Sequence, residues 1–431
     1  ALVLSPFGAA NLGFPAVIRR ILRIVIQILR SFPALILALT ATFLFGLGTF
    51  AGTFAITLYT FAIMTKLTYE DASAADVKAY QALRAMGVSK YVAYIHGILP
   101  EIIPGFLTNA LYLLETNVRH SSILGYVGAG GIGLLLNEKI SWLEYDKVGT
   151  ILLMLFLTVC VIEYFSRYLT ALIRKERTIK KEQARLLLLF LAALFLICTF
   201  TLSLPDFSRT SPQTLRNMFA GFLQPDWSFF FSAEKDGLGY LLLETVCIAF
   251  IGTVIGAIVS APLAFLNTKH FVPAPVSFLF NLVIMVIRSV PFLVYGLIFI
   301  RVSGPGAFTG VLTLAVCSIG LLTKRFTEAL DALDLRPYHA LLAMGVRPLP
   351  AICHSVLPQL KPVFTSIILY RFDVNIREAS VLGLVGAGGI GAPLIFSMNQ
   401  YAWEKAGAIM LGLILLVWFI DMVSEKIGAG N

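Results

Sequence analysis

The chain contains a long internal repeat, and this repeat constrains the fold more than any other feature of the sequence. Residues 115–133 form a charged segment that ends in a run of glycines, and residues 373–391 repeat its pattern. The two copies are 258 residues apart, as from Asn117 to Asn375. The same offset holds without a gap from Arg30 through the glycines and beyond. The sequence is therefore a tandem duplication of one unit.

The composition places both copies in a membrane. Hydrophobic residues make up 58% of the chain and charged residues 13%, with a mean hydropathy of +0.86. Soluble domains have about 25% charged residues. Apolar runs of about 20 residues, the length that crosses the hydrocarbon layer as a helix, recur throughout. We therefore predict an all-α polytopic membrane protein with about ten transmembrane helices in this sequence.

The distribution of basic residues predicts the domain limits and the topology. A basic cluster at 174–185 separates two apolar regions, and the positive-inside rule places it in the cytoplasm as a linker. Flanking membrane spans argue against a nucleic-acid partner. The predicted domains are a first membrane unit at 1–173, this linker, and a second unit at 186–431. The first unit lacks a counterpart of the second unit's opening helix, so we expect native sequence upstream of Ala1.

This topology makes the duplication parallel. Six predicted crossings follow the linker, so the polar segments 67–103 and 326–360 both fall on the cytoplasmic side. A parallel repeat argues against the inverted-repeat secondary carriers, although some carriers do use parallel repeats.

Each of these polar segments contains the pattern of a short helix that ends at a glycine. The glycines are Gly87 and Gly345, which can adopt the positive φ of a helix end, and each is followed by a Leu-Pro pair. A short projecting helix suits docking into a groove on a partner. A plain surface connector is the alternative, but the periodicity is present in both repeats and favours docking.

Two acidic residues stand four positions before arginines within apolar sequence. Glu115 precedes Arg119, and Asp373 precedes Arg377. At this spacing the two charges share one helical face in the favourable order. Charges inside a membrane are costly unless they are paired or face water. A structural ion pair and the lining of a polar pathway are both consistent with this pattern.

Other polar residues are repeated in the apolar segments. Asn117 and Asn375 lie between the paired charges in sequence, and we expect them to bond across a helix interface or to ligand oxygens. Arg30 and Arg288 have no acidic residue within four positions, and each precedes a proline that breaks its helix. Such an arginine could face a polar cavity and attract an anion, or could extend to the lipid interface. The predicted pathway residues are Arg30, Asn117, Arg119, Arg288, Asn375 and Arg377.

The glycine run matches the pattern G-x-G-x-x-G only formally. A dinucleotide site needs a preceding strand, whereas here a membrane helix precedes the run. No G-x-x-x-x-G-K-[ST] motif occurs in the chain, and we expect ATP to bind elsewhere. The glycines are predicted to break the helix and to permit close packing or a re-entrant turn. They are Gly128, Gly130, Gly131, Gly133, Gly386, Gly388, Gly389 and Gly391.

The Asn-x-Arg segment and the Leu-Gly-x-Val-Gly-Ala-Gly-Gly-Ile-Gly run that follows it resemble the phosphonate-type (PhnE-like) ABC importer permeases. The Arg-Ser-x-Pro element fits that family and the methionine importer permeases. The cytoplasmic segments resemble the ATPase-coupling motif of such permeases, except that its Glu is Gln81 and His339 and its Ile is Gly97 and Ser355. The matching residues are Ala82, Gly87, Leu99, Pro100, Ala340, Gly345, Leu357 and Pro358.

The resemblance implies a tandem parallel repeat of the MetI-like transmembrane domain of a type I ABC importer. Its expected partners are two copies of a separate ATPase subunit, which would carry ATP and Mg, an extracytoplasmic substrate-binding protein and the lipid bilayer. The expected location is the bacterial inner membrane, and the expected cargo is phosphonate, phosphite or a phosphate ester. No catalytic residues, metal site or cofactor of this chain's own are predicted.

Three alternatives remain at this point. The first is an ABC permease for methionine or another small solute. The second is an ion-driven secondary transporter. The third is a membrane enzyme, which the lack of a catalytic constellation disfavours.

Overall fold

The computed structural model describes residues 1–173, 181–202, 212–232, 234 and 237–429. These residues form helices and connecting segments, with no strand among them. Their contacts divide the chain into two compact units, Ala1–Leu215 and Arg216–Asn431. Residues 174–180, which hold most of the predicted basic linker, lie outside the described residues, so the predicted domain limits stay a prediction.

Unit 1 is built from helices that alternate between long apolar segments and short connecting ones. The short α1 lies ahead of the first long helix, and α5 and α6 lie between the long helices α4 and α7. The helices are α1 Ser5–Gly8, α2 Ala16–Ser31, α3 Ala34–Phe45, α4 Thr49–Ala74, α5 Lys78–Ala85, α6 Lys90–Gly97, α7 Leu99–Leu124, α8 Ile132–Ser141, α9 Tyr145–Ile173 and α10 Lys181–Phe200.

Unit 2 repeats this order, and a long helix, α13, precedes the counterpart of α2. Helix α11 begins just before the boundary between the units. The helices are α11 Pro212–Leu223, α12 Trp227–Phe230, α13 Leu238–Asn267, α14 Ala274–Ser289, α15 Phe292–Ser303, α16 Ala307–Asp331, α17 Arg336–Ala343, α18 Pro348–Ala351, α19 Leu357–Leu382, α20 Gly391–Asn399 and α21 Trp403–Ala429.

The described part of the chain contains six helices that are long and apolar enough to cross a membrane. Three further pairs of helices reach this length together but are bent at a break, which raises the number to nine. An apolar helix of this length satisfies its backbone hydrogen bonds internally, as the bilayer requires. The predicted all-α membrane fold is confirmed, and the predicted count of about ten lies close to this number.

A sharp bend interrupts the first repeated membrane segment of each unit. Helices α2 and α3 meet at 89°, and α14 and α15 meet at 85°. Pro33 and Pro291 occupy the N-cap positions of the second helices, after an extended residue. Proline cannot continue the helix that precedes it. Both breaks lie where the sequence predicts them, at the prolines that follow Arg30 and Arg288.

Small residues let the long helices of unit 2 pack closely. The backbones of α13 and α16 approach at Gly252 and Gly256, where a Cβ atom would overlap the side chains of Leu314 and Ser318. Ser260 on α13 also donates a hydrogen bond to the carbonyl of Ile319 on α16, at 3.2 Å. Close approach at glycine and serine is the usual way that membrane helices associate. These contacts form a tight helix pair against which α19 packs.

Candidate translocation pathway and coupling helices

The acidic residues of α7 and α19 pair with the arginines one turn later. In unit 1, Arg119 Nη2 lies 2.7 Å from Glu115 Oε1. In unit 2, Arg377 makes a two-point contact with Asp373, at 3.1 and 2.6 Å. Glu115 and Asp373 are both buried. The same charge pair thus lies at the same position in both units, and each carboxylate is neutralised within its own helix.

The repeated asparagines hold α7 and α19 to neighbouring helices. Asn117 Nδ2 donates to Thr60 Oγ1 of α4 at 2.9 Å. Asn375 is completely buried, and its Nδ2 donates to Thr253 Oγ1 at 2.6 Å and to Ser318 Oγ at 2.9 Å. The asparagines therefore make the interhelical bonds that the sequence left as one of two options.

Sequence reasoning missed a second charge pair, which only unit 2 contains. Arg371 Nη2 lies 2.8 Å from Glu378 Oε2, and its Nε donates to Ser318 Oγ at 3.2 Å. The Arg371 side chain is only 5% exposed. The two residues are two helical turns apart on α19, which was the available signal. The matching residues in unit 1 are Leu113 and His120.

Arg30 and Arg288 lie in the last turns of α2 and α14, directly before the breaks. A Cβ atom added to Gly320 would lie 3.0 Å from Arg288 Cγ, so this arginine packs against the middle of α16. Both arginines are half-buried. This position of Arg288 is far from either end of α16, and both interpretations of the two arginines, a polar cavity and the lipid interface, stay predictions.

The glycine runs follow the ends of α7 and α19 and bring the chain against the starts of α4 and α16. Gly128 and Gly386 adopt left-handed conformations, with φ of 74° and 87°. Their carbonyls accept hydrogen bonds from Gly48 and Gly306, at 3.0 and 2.9 Å, which join each run to the start of the neighbouring long helix. A Cβ atom at Gly133 would overlap the carbonyl of Ser122.

The remaining predicted glycines have matching backbone conformations in the two units. Their φ angles lie between 75° and 85°, where residues other than glycine are strained. These glycines are Gly130, Gly131, Gly388 and Gly389. Gly391 repeats the close contact of its counterpart, here with the carbonyl of Ser380. The short helices α8 and α20, which the sequence did not predict, begin at these runs.

The short helices α5 and α17, named here the coupling helices, lie at the surface of each unit. Their exposed faces carry alanines, with a methionine directly after each helix, beside polar residues such as Gln81 and His339. Met86 is 70% exposed and Met344 is 78% exposed, and the helices end at Gly87 and Gly345, with φ of 84° and 83°. The exposed alanines on these faces are Ala79, Ala82, Ala85, Ala340 and Ala343. A short exposed helix face of this kind suits a groove on another protein.

The inward faces of the coupling helices are anchored in buried clusters. Tyr80 is 5% exposed, belongs to a cluster with Tyr94 and Ile98, and donates to the carbonyl of Leu12 at 2.7 Å. Tyr338 belongs to the matching cluster of unit 2, together with Phe326 and Leu330 of α16. A displacement of either coupling helix is therefore transmitted to the long helices through close-packed side chains.

The predicted Leu-Pro pairs begin the long helices that follow. Leu99 and Leu357 are the first residues of α7 and α19, and Pro100 and Pro358 lie in the first turns, where a missing N–H costs nothing. Leu99 packs against the cluster beneath α5. The pairs therefore join each coupling segment directly to the helix that carries the buried ion pair.

Aspartates order the starts of both coupling helices. Asp76 Oδ1 accepts from the N–H of Lys78, and Asp334 Oδ1 from that of Arg336, both at 3.0 Å. The Arg336 guanidinium donates to Asp334 and lowers the pKa of that carboxyl to about 2. The backbone hydrogen bond from Lys78 likewise lowers the pKa of Asp76. These contacts are fully present above the usual carboxyl pKa and are lost only in strong acid.

These features define a class of protein. Buried charge pairs within apolar helices, broken membrane segments and anchored surface helices are features of a multi-pass membrane transport subunit. Among the residues that the structure describes, no group of His, Cys, Asp and Glu could hold a metal ion.

Comparisons with known proteins identify the family. The family model for the inner membrane component of binding-protein-dependent transport systems matches residues 3–204 and 252–427. The chain belongs to this family, so it is a permease of a bacterial membrane, and the resemblance to ABC importer permeases is confirmed.

Individual relatives cover either the whole chain or one unit. The phosphate-import permease protein PhnE of Mycolicibacterium smegmatis is 28% identical over 98% of this chain and 80% of its own length. The phosphite transport system permease protein PtxC of Stutzerimonas stutzeri is 36% identical over 42% of this chain and 67% of its own. Among solved structures, the MetNI methionine ABC transporter in an inward-facing form matches with a TM-score of 0.41 and 19% identity, over 45% of this chain and 95% of that one.

Proposed function

We propose that this chain forms the translocation pathway of an ATP-driven importer for phosphorus oxyanions. The cargo class is phosphonate, phosphite, phosphate or a phosphate ester. Two copies of a separate ATPase subunit dock on the coupling helices, and an extracytoplasmic binding protein delivers the cargo. ATP and Mg are held by the ATPase subunits, and this chain carries no cofactor and performs no catalysis.

The proposed coupling to the ATPase subunits is supported by the similar structures of α5 and α17. Both present an exposed alanine and methionine face and are anchored by a buried tyrosine, Tyr80 or Tyr338. Closure of the ATPase subunits would push on these faces, and the packed clusters would pass the movement to α7 and α19. The switch between inward-facing and outward-facing cavities follows from that movement.

Two observations support the cargo class. Arg30 and Arg288 lie at broken helices, and Arg288 packs at the level of the middle of α16. A guanidinium offers several N–H donors in a planar arrangement that suits phosphate-like oxygens. The named cargos of the two relatives, phosphate and phosphite, belong to the same chemical class.

Reconstituted transport tests the proposal. Proteoliposomes that contain this chain, its ATPase subunit and its binding protein are supplied with labelled inorganic phosphate, phosphite, methylphosphonate or methionine. We expect uptake of a phosphorus oxyanion that requires internal ATP and the ATPase subunit. Uptake of methionine alone would contradict the cargo class, and uptake driven by an ion gradient without ATP would contradict the importer mechanism.

A pair of substitutions tests the docking role separately. Ala82→Arg with Ala340→Arg puts a bulky charge on both coupling faces without disturbing a buried group, because both alanines are exposed. We expect the ATPase subunit to stop co-purifying and uptake to be abolished. The matched control is Ala74→Arg with Ala332→Arg, which are also exposed and repeated but lie outside the coupling helices. Equal loss in both pairs would contradict a role specific to these faces.

A further inference from the structure

Helix α2 carries a cluster of arginines that its counterpart in unit 2 lacks. Arg19, Arg20 and Arg23 occupy its first half, and the matching residues of α14 are Ser277, Phe278 and Asn281. The importer mechanism does not use these arginines, because they are separated from the break at Pro33 by the rest of the helix. A function specific to unit 1 is therefore required to explain them.

The arginine cluster (Arg19, Arg20 and Arg23) surrounds an open cavity on the surface of unit 1. The cavity has a volume of about 210 Å³ and is also lined by Ala16, Ile24 and Gln27. Within the described part of the chain, neither Arg19 nor Arg20 forms an ion pair or a side-chain hydrogen bond. Three adjacent guanidinium groups that no carboxylate neutralises produce a strong positive potential at this cavity.

One arginine of the cluster is held in place by neighbouring elements. Arg23 Nε and Nη2 both donate to the carbonyl of Gly8, at 3.1 and 2.9 Å, and its guanidinium lies 5.3 Å from the centre of the Tyr69 ring. These contacts orient the wall of the cavity before any ligand binds. The site is therefore partly preorganised, which reduces the entropic cost of binding.

The cluster lies at the end of unit 1 that carries the coupling helix. Asn11 Nδ2 donates to the carbonyl of Ala72 near the end of α4, and Leu12 accepts from Tyr80 of α5. Helix α2 starts directly after this segment, at Ala16. The arginines are thus one to two turns inside the same end of the unit, which the predicted topology places at the level of the cytoplasmic lipid headgroups.

An exposed apolar face of α2 adjoins the cluster at Ile24, which also lines the cavity. Val17, Ile21 and Ile24 are 69%, 57% and 50% exposed. A soluble anion would gain nothing from these side chains, whereas the acyl chains of a lipid would cover them. Anionic headgroup and hydrocarbon together match the two faces of one helix.

We propose that the arginine cluster binds the phosphate group of an anionic phospholipid, whose acyl chains lie along the exposed valine and isoleucine face of α2. In the predicted topology this lipid belongs to the cytoplasmic leaflet. The site anchors the broken segment of unit 1 beside its coupling helix. Unit 2 has no equivalent site.

Native mass spectrometry of the purified full-length chain tests the proposal. The protein is titrated in detergent with phosphatidylglycerol or phosphatidylcholine, with and without inorganic phosphate. The wild-type chain should prefer phosphatidylglycerol. The variant Arg19→Gln with Arg20→Gln, which keeps the anchored Arg23, should bind this lipid about 10- to 30-fold more weakly, at about 1 kcal/mol per arginine. Its binding of phosphatidylcholine should not change.

Two further variants distinguish lipid binding by the arginine cluster from a general effect of the protein's positive charge. Arg19→Lys with Arg20→Lys should retain most of the preference. Arg301→Gln with Arg347→Gln removes two exposed arginines of unit 2 and should leave binding unchanged. Equal binding of both lipids by the wild-type chain would overturn the proposal, as would unchanged binding in the glutamine variant of the cluster.

The free-anion alternative is a distinct outcome. If inorganic phosphate occupies the cluster and phosphatidylglycerol does not compete with it, the site takes a soluble anion and the lipid proposal is wrong. Transport is measured independently of these titrations, so failure of the lipid site and failure of the importer mechanism are distinguishable.

Discussion

Helices α7 and α19 descend from one ancestral segment but now carry different charges. Both retain the ion pair of Glu115 with Arg119, or of Asp373 with Arg377. Only α19 adds the buried pair of Arg371 with Glu378, where α7 has Leu113 and His120. The shared ion pair is therefore common to both units. The second pair was either gained by unit 2 or lost from unit 1 after the duplication.

The polar contacts around the two helices also differ, and those around α19 are the more extensive. Asn375 is completely buried between α13 and α16 and donates to both, whereas Asn117 is half-buried and bonds to Thr60 of α4. Ser318 accepts from both Asn375 and Arg371. Within the described residues, Asn375 and Arg371 therefore share Ser318 in one polar network, whereas the matching Thr60 bonds to Asn117, and we expect unit 2 to tolerate changes here less well.

The largest expected effect comes from removing one partner of the pair that is found only in unit 2. Glu378→Ala leaves the Arg371 charge buried and should cost about 3–5 kcal/mol. Thermal unfolding in detergent should show a clear decrease in the midpoint. His120→Ala, at the matching position of unit 1, should cost less than about 1 kcal/mol.

Replacement of the whole pair sharpens this comparison. Arg371→Leu with Glu378→His gives unit 2 the residues of unit 1 and removes both charges together. We expect this double variant to be much closer to wild type than Glu378→Ala, because no buried charge is left alone. A double variant as unstable as the single one would show that the pair is not what stabilises α19.

The next effect concerns the arginines at the broken helices. Arg288→Ala should reduce ATP-driven oxyanion uptake roughly 10- to 100-fold, because a hydrogen bond to a charged group is lost. Arg30→Ala should have an effect of the same order if the two units contribute equally to the pathway. Lysine in either position should retain part of the activity. Normal uptake in both alanine variants would exclude these arginines from the pathway.

A smaller effect should be equal in the two units. A Cβ atom at Gly52 would lie 2.5 Å from the carbonyl oxygen of Ala129, and one at Gly310 would lie 2.5 Å from that of Ala387. Each alanine variant should lower stability by about 1–3 kcal/mol through overpacking. The control is Gly149→Ala, where a Cβ atom meets nothing within 4 Å. Unequal losses at the two repeated glycines would show that the glycine runs have diverged.

The sequence predicts the helices best where the repeat and proline patterns agree. The breaks at Pro33 and Pro291 were both expected, and the two prolines are 258 residues apart. Helix α7 starts at Leu99 and contains Pro104. Proline in the first turn is compatible with a helix. Pro104 lies deeper in the helix, and membrane helices also contain proline at such positions.

The sequence predicts the contacts of the candidate site only where the spacing between charged residues identifies an ion pair. Four-residue spacing identifies the shared ion pairs, but Arg371 and Glu378 are seven residues apart and meet only because both side chains lie on one face of α19. The hydroxyl partners Thr60 and Ser318 occupy repeat-matched positions, which is a signal that sequence comparison of the two units contains. Burial decides the energetic weight of these contacts, and composition alone does not give it.

The central claim is that both coupling helices face the same side of the membrane. Each of them binds one copy of the same ATPase subunit. The direct measurement is maleimide labelling of Met86→Cys and Met344→Cys, both highly exposed, in a chain whose five native cysteines are replaced. An impermeant reagent should label both positions in inside-out vesicles and neither in right-side-out vesicles, and added ATPase subunit should protect both. Labelling of the two positions from opposite sides would contradict the account.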